Sequence, residues 1–245
     1  MNLFGLTDVG LVRKSNQDSY AIRVLDEDLA IAVVCDGMGG AQAGNVASAV
    51  AVEAFAASLE ESCKQGLPPD AERKRELLRG ACHAANARVY ELSQGNPEYY
   101  GMGTTLVATM ILSHEIYVVN VGDSRCYIWA DDTLTQITTD HSLVQALVDC
   151  GDITPEEART HPKKNLITRA LGIDESIRCD VFSVERREGQ KLLLCSDGLS
   201  NIVTDDVMQT ELALLVSPED TAKMLLSLAV EQGAPDNVTV ILAQL

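Results

Sequence analysis

The sequence contains no apolar run near the roughly 20 residues that a membrane-spanning helix needs. Its N-terminus, MNLFGLTDVG, lacks the basic segment and apolar stretch of a secretory leader. No CxxC pair occurs among its seven cysteines, whose number is odd and whose spacing is irregular, which argues against a disulfide framework or a zinc ribbon. Cys35, Cys126 and Cys195 instead sit inside apolar runs, where the thiol acts as a small hydrophobe. Cations are scarce, 19 Lys and Arg against 36 Asp and Glu, leaving a net charge of -17. Such a surface repels nucleic acid and anionic membranes. There is no repeat of fixed period, no low-complexity linker and no tail beyond the last strand signal. These absences point to a single domain over residues 1–245, cytoplasmic, without a nucleic-acid partner or membrane insertion; a monomer is the expectation, though no sequence feature fixes it.

What is present suffices for a sizeable core, since 46% of the residues are hydrophobic. The first forty residues read as strands. Helical signals follow over about Gly44–Leu59 and Asp70–Leu92; in the second, Leu78, Ala81, Cys82, Ala85, Val89 and Leu92 share one face. Cys63–Pro69 breaks the two. Short β-branched or aromatic runs at Thr104–Leu112, Ile116–Val121, Arg125–Trp129 and Thr133–Thr138 predict antiparallel strands. Residues 140–172, with short helical stretches and a Pro162-Lys163-Lys164 break, read as a surface insertion or mobile flap. Strands near Ile177–Val184 and Gln190–Cys195, a helix over Glu219–Glu231 and a last strand after Asp236-Asn237 complete the chain. Strands and helices come in groups, which predicts an α+β fold rather than a parallel sheet.

Two apolar runs stop on an acidic turn. Leu29–Cys35 runs into Asp36-Gly37, and Leu192–Cys195 leads through Ser196 into Asp197-Gly198. A carboxylate at the tip of a buried strand is held in place, and Gly beside it allows close approach to the backbone. Asp18, Asp123 and Asp236 sit in similar settings. One Asp at a strand tip is usually a turn or cap residue; five in one chain suggest convergence. Like charges at short range need cations between them, and hard divalent cations such as Mg²⁺ and Mn²⁺ take oxygen ligands. The pattern therefore predicts a two-metal hydrolase site, for which phosphate esters are natural substrates. Arg13, five positions before Asp18, suits bidentate phosphate contact, although an Arg near an N-terminus is most often a solvated surface residue.

Eight segments in order, TDVGLVRKSNQD, VVCDGMGG, GMGTTLV, VGDSR, TTDHSLV, EEARTHPKKNLITRALG, LLLCSDGL and DNVTV, resemble the metal-dependent Ser/Thr protein phosphatases of the 2C type in their short bacterial form. The resemblance spans the whole chain. It implies a four-layer αββα sandwich of two antiparallel sheets flanked by helices. It implies that Asp36 bridges two Mn²⁺ or Mg²⁺ ions, that Asp197 and Asp236 complete the first, that the Gly37 carbonyl binds the second, and that Asp18 acts through bound water. A third, weaker ion would sit on Asp123 and Asp197. Arg13 would hold the phosphate of a phosphoserine or phosphothreonine protein while a metal-bridging hydroxide attacks phosphorus directly. Partners would be phosphorylated proteins, among them a Ser/Thr kinase.

The chain departs from the family at Ala41, in GMGGAQAG, where the usual residue is a His proposed to protonate the leaving group. His141 and His161 remain as protein donors, but a lone His is more often a surface or capping residue. Asn165 occupies a place where a relative offers a third-metal contact. Two other classes compete. Cys82 and Arg88 have the spacing of a Cys-dependent phosphatase, yet CHAANAR lies in a helical stretch and contains no Gly to form a phosphate loop. The departure at Ala41 also admits a catalytically weak relative that only binds phosphoproteins. Asn237-Val238-Thr239 is a glycosylation sequon by pattern alone.

Overall fold

The computed structural model describes residues 1–39 and 43–245. Ala41, the departure noted above, lies outside the described residues. The chain begins with three strands, β1 (Asn2–Asp8), β2 (Asp18–Asp26) and β3 (Leu29–Met38), followed by two long helices, α1 (Ala43–Lys64) and α2 (Ala71–Gly95). Then come β4 (Gly103–Thr104), β5 (Leu106–Ile111), β6 (Glu115–Val121), β7 (Arg125–Ala130) and β8 (Thr133–Gln136). Two short helices, α3 (Leu143–Asp149) and α4 (Pro155–Thr160), precede β9 (Asp180–Glu185) and β10 (Lys191–Cys195). The chain closes with α5 (Asp197–Ser200), α6 (Asp205–Ala213), α7 (Pro218–Glu231) and β11 (Val238–Gln244).

The strands form two antiparallel sheets. One has the order β1-β11-β10-β7-β8; the other has the order β2-β3-β5-β6-β9, with β4 pairing β3. Strand alternation shows why they stack. Successive side chains point to opposite faces, and in β3 Ile31, Val33 and Cys35 join a core shared with α1 and α2, while Ala32 and Val34 face a second core between the sheets. In β10, Leu192 and Leu194 enter that same central core, while Leu193 and Cys195 pack with residues of α5–α7. Three apolar layers thus separate four structural layers, which is the expected αββα sandwich. Strands buried on both faces read as continuous apolar runs, the reason LAIAVVC and LLLC stand out in the sequence.

The helices follow from their small, periodic inner faces. Ala47, Ala51, Phe55 and Leu59 of α1 meet Leu78, Cys82, Ala85 and Val89 of α2 over the second sheet. Each fully buried Leu or Phe contributes roughly 1.5–3 kcal/mol relative to exposure. Asp70 caps α2, accepting from the Arg73 N–H, and Ser217 with Pro218 starts α7. The helix expected to end at Leu59 continues one turn to bury Cys63. The single strand expected over Thr104–Leu112 is broken at Thr105, whose N–H donates to the Asp36 carbonyl at 2.8 Å. The strand expected to begin at Ile177 begins at Asp180, because Asn86 Nδ2 holds the carbonyls of Asp174 and Glu175 in the preceding loop. Among the described residues no helix is long and apolar enough to cross a membrane, and all seven cysteines are free thiols.

Candidate active site

The five Asp residues stand where strands of both sheets end. Asp18 opens β2 and is paired in register with Asp36 of β3. Asp123 lies in the β6–β7 turn, Asp197 starts α5 directly after β10, and Asp236 precedes β11. A cavity of about 240 Å³ brings together Arg13, Asp36, Gly37, Asp123, Asp197 and Asp236, with Asn165 and Ile167 on its rim. A larger cavity of about 440 Å³ adjoins it, sharing Asp123 and Asp197, and runs between α3–α4 and the start of α6. Asp18 lies behind the first cavity, 7% exposed.

Each carboxylate is held differently. Asp18 Oδ2 accepts from Ser196 Oγ at 2.7 Å and Thr239 Oγ1 at 2.6 Å, while its Oδ1 is buried without a partner. The Asp36 backbone is fixed from both sides: its N–H donates to Thr105 Oγ1 at 2.9 Å and its carbonyl accepts from Thr104 Oγ1 at 2.8 Å. Thr105 Oγ1 in turn meets Ser124 Oγ at 2.7 Å, linking the Asp36 strand to the Asp123 turn. Asp197 Oδ2 accepts from Asn201 Nδ2 at 2.8 Å, and its Oδ1 has no partner. Asp236 Oδ2 takes a 2.6 Å ion pair from Arg13 Nη2. Asn237 ties the Arg13 loop down, donating from Nδ2 to the carbonyls of Val9 and Ser15 and accepting from the Gln17 N–H.

Electrostatically the cluster is strained. Burial, then repulsion from Asp18, Asp197 and Asp123, pushes the Asp36 carboxyl well above the usual range. Burial, then Asp197 and Asp140, does the same to Asp123. Asp197 is raised by burial and then by Asp236. Burial pushes Asp18 up to about 6, partly offset by the hydrogen bonds from Thr239 and Ser196 and reinforced by Asp197 and Asp236. Among the described residues no three acidic, His or Cys side chains form a ready-closed cage around one point. The fit to hard cations lies in the donor chemistry: four mutually repelling carboxylates, which offer only oxygen, around one cleft, with buried unpartnered oxygens on Asp18 and Asp197. Such atoms cost free energy unless satisfied, and a divalent cation with bound water satisfies both oxygen and charge.

Glycine is required at both acidic tips. A Cβ on Gly37 would strike the Gly44 carbonyl oxygen, and one on Gly198 would strike that of Asn237.

Several expectations change. His141 is buried, both ring nitrogens are engaged, and it lines neither cavity, so it does not face the cleft as a proton donor. His161 ends α4, its Nδ1 accepting from the Lys163 N–H, a capping role. Cys82 is buried in α2, and Arg88 pairs with Glu91 on the exposed side, which removes the Cys-phosphatase reading. The sequon Asn237 is buried with its amide fully used. The hydroxyls and amide that set the carboxylates, Thr105, Ser124, Ser196, Thr239 and Asn237, are absent from the candidate set. Their one local signal is that Ser124, Ser196 and Asn237 adjoin acidic strand tips in sequence.

The fold and donor set together define the class of carboxylate-rich αββα hydrolases. The profile of the family described as protein phosphatase 2C matches residues 12–231. The chain is 37% identical over 238 residues to the serine/threonine phosphatase stp of Listeria welshimeri, covering 97% of this chain and 93% of the relative. It is 44% identical over 240 residues to the serine/threonine protein phosphatase PstP of Mycobacterium tuberculosis, covering 97% of this chain and 43% of that longer protein. It superposes with a TM-score of 0.85, at 37% identity, on the crystal structure of the PstP catalytic domain in complex with two manganese ions, covering 99% of this chain and 97% of that one. The chain belongs to the protein phosphatase 2C family.

Proposed function

We propose that the protein hydrolyses phosphoserine and phosphothreonine esters of protein substrates in a Mn²⁺- or Mg²⁺-dependent reaction. The observation that carries this reading is the convergence of Asp36, Asp123, Asp197 and Asp236 on one cleft with Arg13 at its edge. Asp36, Asp197 and Asp236 would hold the core cations with the Gly37 carbonyl, Asp18 would act from behind them, and Asp123 with Asp197 would hold a third. When bound, the cations supply charge neutralisation and a water acidic enough to ionise near neutral pH.

The chain's own residues do the rest. Arg13, 52% exposed at its side chain, lines the cleft with one guanidinium nitrogen on Asp236, and its planar guanidinium would contact a phosphate there. Asn237 fixes the loop that carries it. Thr104 and Thr105 hold Asp36 still, so little reorganisation accompanies charge movement in the cleft. With the carboxylate set complete and the named relatives phosphatases, no observation favours a binding-only relative.

Residues 1–245 act as one catalytic domain, with residues 140–172 as a flap beside the cleft. The protein works in the cytoplasm as a monomer, in signalling, on proteins phosphorylated by a Ser/Thr kinase and on that kinase itself; the acidic surface and reduced thiols agree with this setting. The test is phosphate release from a phosphothreonine peptide with and without Mn²⁺. Activity that survives chelation would refute the metal reading, and no release with Mn²⁺ would refute the reaction.

A further inference from the structure

His141 is 6% exposed and lies at the entrance of the 140–172 segment. It grips Gly122, the residue before Asp123, on both sides. The Gly122 N–H donates to His141 Nδ1 at 3.1 Å, and the Gly122 carbonyl accepts from the His141 N–H at 2.9 Å. An acceptor at Nδ1 places the ring proton on Nε2, which faces Asp180 Oδ2 at 3.1 Å. Arg169 Nη1, 3.0 Å from Nε2, donates to Asp180 Oδ1 at 3.1 Å, so Asp180 is the acceptor both share.

Arg169 belongs to the far end of the same segment. Nearby, the Thr168 N–H donates to the His141 carbonyl at 2.7 Å and the Leu143 N–H to the Leu166 carbonyl at 2.8 Å. Asp180 is fixed in turn, because β9 pairs it with Asn120, whose Nδ2 also donates to the Gly122 carbonyl. The His141 ring therefore joins the turn that carries Asp123 to the first residue of β9, its backbone holds both the turn and Thr168, and Arg169 is tied in through the shared acceptor Asp180.

We propose that His141 is a positioning residue through which the Asp123 turn and the 140–172 segment are coupled. A cation held at Asp123 firms the base of the segment, and a firm base strengthens binding of that cation. Such coupling is reciprocal by necessity. The proposal rests on the reading of Asp123 as a cation ligand, and its test separates the two.

The test titrates Mn²⁺ calorimetrically into the wild type, Asp123→Asn, His141→Ala, His141→Asn and Asp180→Ala. Hydrogen exchange of residues 143–166 is followed with and without Mn²⁺. Asp123→Asn should remove one binding step, and with it the protection that Mn²⁺ confers on the segment. His141→Ala should weaken that same step about tenfold, the size typical of residues that orient a metal ligand, while leaving the tighter steps in place. His141→Asn, whose amide oxygen can accept from the Gly122 N–H, should recover most of the loss. Asp180→Ala should shift the step in the same direction, and it carries the test if His141→Ala does not fold. An Asp123-dependent step and protection unchanged in His141→Ala, or in Asp180→Ala, would overturn the proposal alone. A wild type with no Asp123-dependent step would overturn the ligand reading and the proposal together.

Discussion

Asp36-Gly37 and Asp197-Gly198 read almost alike and end strands of opposite sheets, yet the chain leaves them by different routes. β3 continues through Met38, so Gly37 stays in a ladder opposite Thr104. After Cys195 the chain turns directly into α5, with Asp197 in its first turn. The glycines share one cause, a carbonyl oxygen from another segment in the space a Cβ would take. The carboxylates do not share surroundings. Asp197 has a donor of its own in Asn201, whereas Asp36 faces Asp18, Asp197, Asp123 and Asp236. A repeated motif here reports crowding of backbone around a carboxylate, not a repeated backbone path, and Asp36 is the more dependent of the two on added positive charge.

The sharpest break of this comparison is charge removal. Asp36→Asn should lower turnover by on the order of 10³-fold, or about 4 kcal/mol of transition-state stabilisation, and Asp197→Asn should fall in the same range. Without metal, Asp36→Asn should melt at a higher temperature than wild type, since it relieves repulsion, and it should gain more than Asp197→Asn. Either variant retaining full activity would refute the site. Next in size are the glycines. Gly37→Ala and Gly198→Ala should each cost about 3 kcal/mol or more in a urea titration, by overpacking against backbone that cannot yield; a loss below about 1 kcal/mol would show that the two tips can relax.

Arg13→Ala should raise KM about tenfold with kcat little changed, as removal of uniform binding does. An unchanged KM would count against phosphate contact. The smallest effect is a pH trend in the metal-free protein. Asp18, the register partner of Asp36, has its folded pKa raised from 3.8 to about 6. The folded chain then binds the extra proton, so this stability is present below about pH 4 and is lost as pH rises through about 6. Melting curves of wild type and Asp18→Asn should therefore diverge over that window, with wild type the loser at high pH. Curves that stay parallel would show that burial, reinforced by Asp197 and Asp236, does not raise the Asp18 carboxyl.

The strands and acidic tips were legible because doubly buried strands are apolar at every position and stop abruptly, as at Leu29–Cys35 and Leu192–Cys195. α2 is legible from the period of Leu78, Ala81, Cys82, Ala85, Val89 and Leu92, and α1 from its alanine content. α6 is not: it buries only Met208 and Leu212 of its nine residues, too few for a stripe. The supports of the site were less legible still. Ser196 and Thr239 act on a carboxylate 178 and 221 positions away, and no local pattern records a partner at that distance. His141 shows the same limit from the other side. Its sequence neighbourhood allowed a proton donor, and only the contacts of Gly122, Asp180 and Arg169 place it in the frame.

The grip of Ser196 and Thr239 on Asp18 has a mechanical side. Asp18 belongs to one sheet, while Thr239 lies in a strand of the other and Ser196 directly follows one. Apolar contact between stacked sheets resists their separation but, being non-directional, opposes sliding weakly. Two short, directional bonds at one end act as a shear pin. Sliding motions of the sandwich should then have their node at the cleft and their largest amplitude at the opposite end of the sheets, near the β2–β3 hairpin at Glu27 and Asp28.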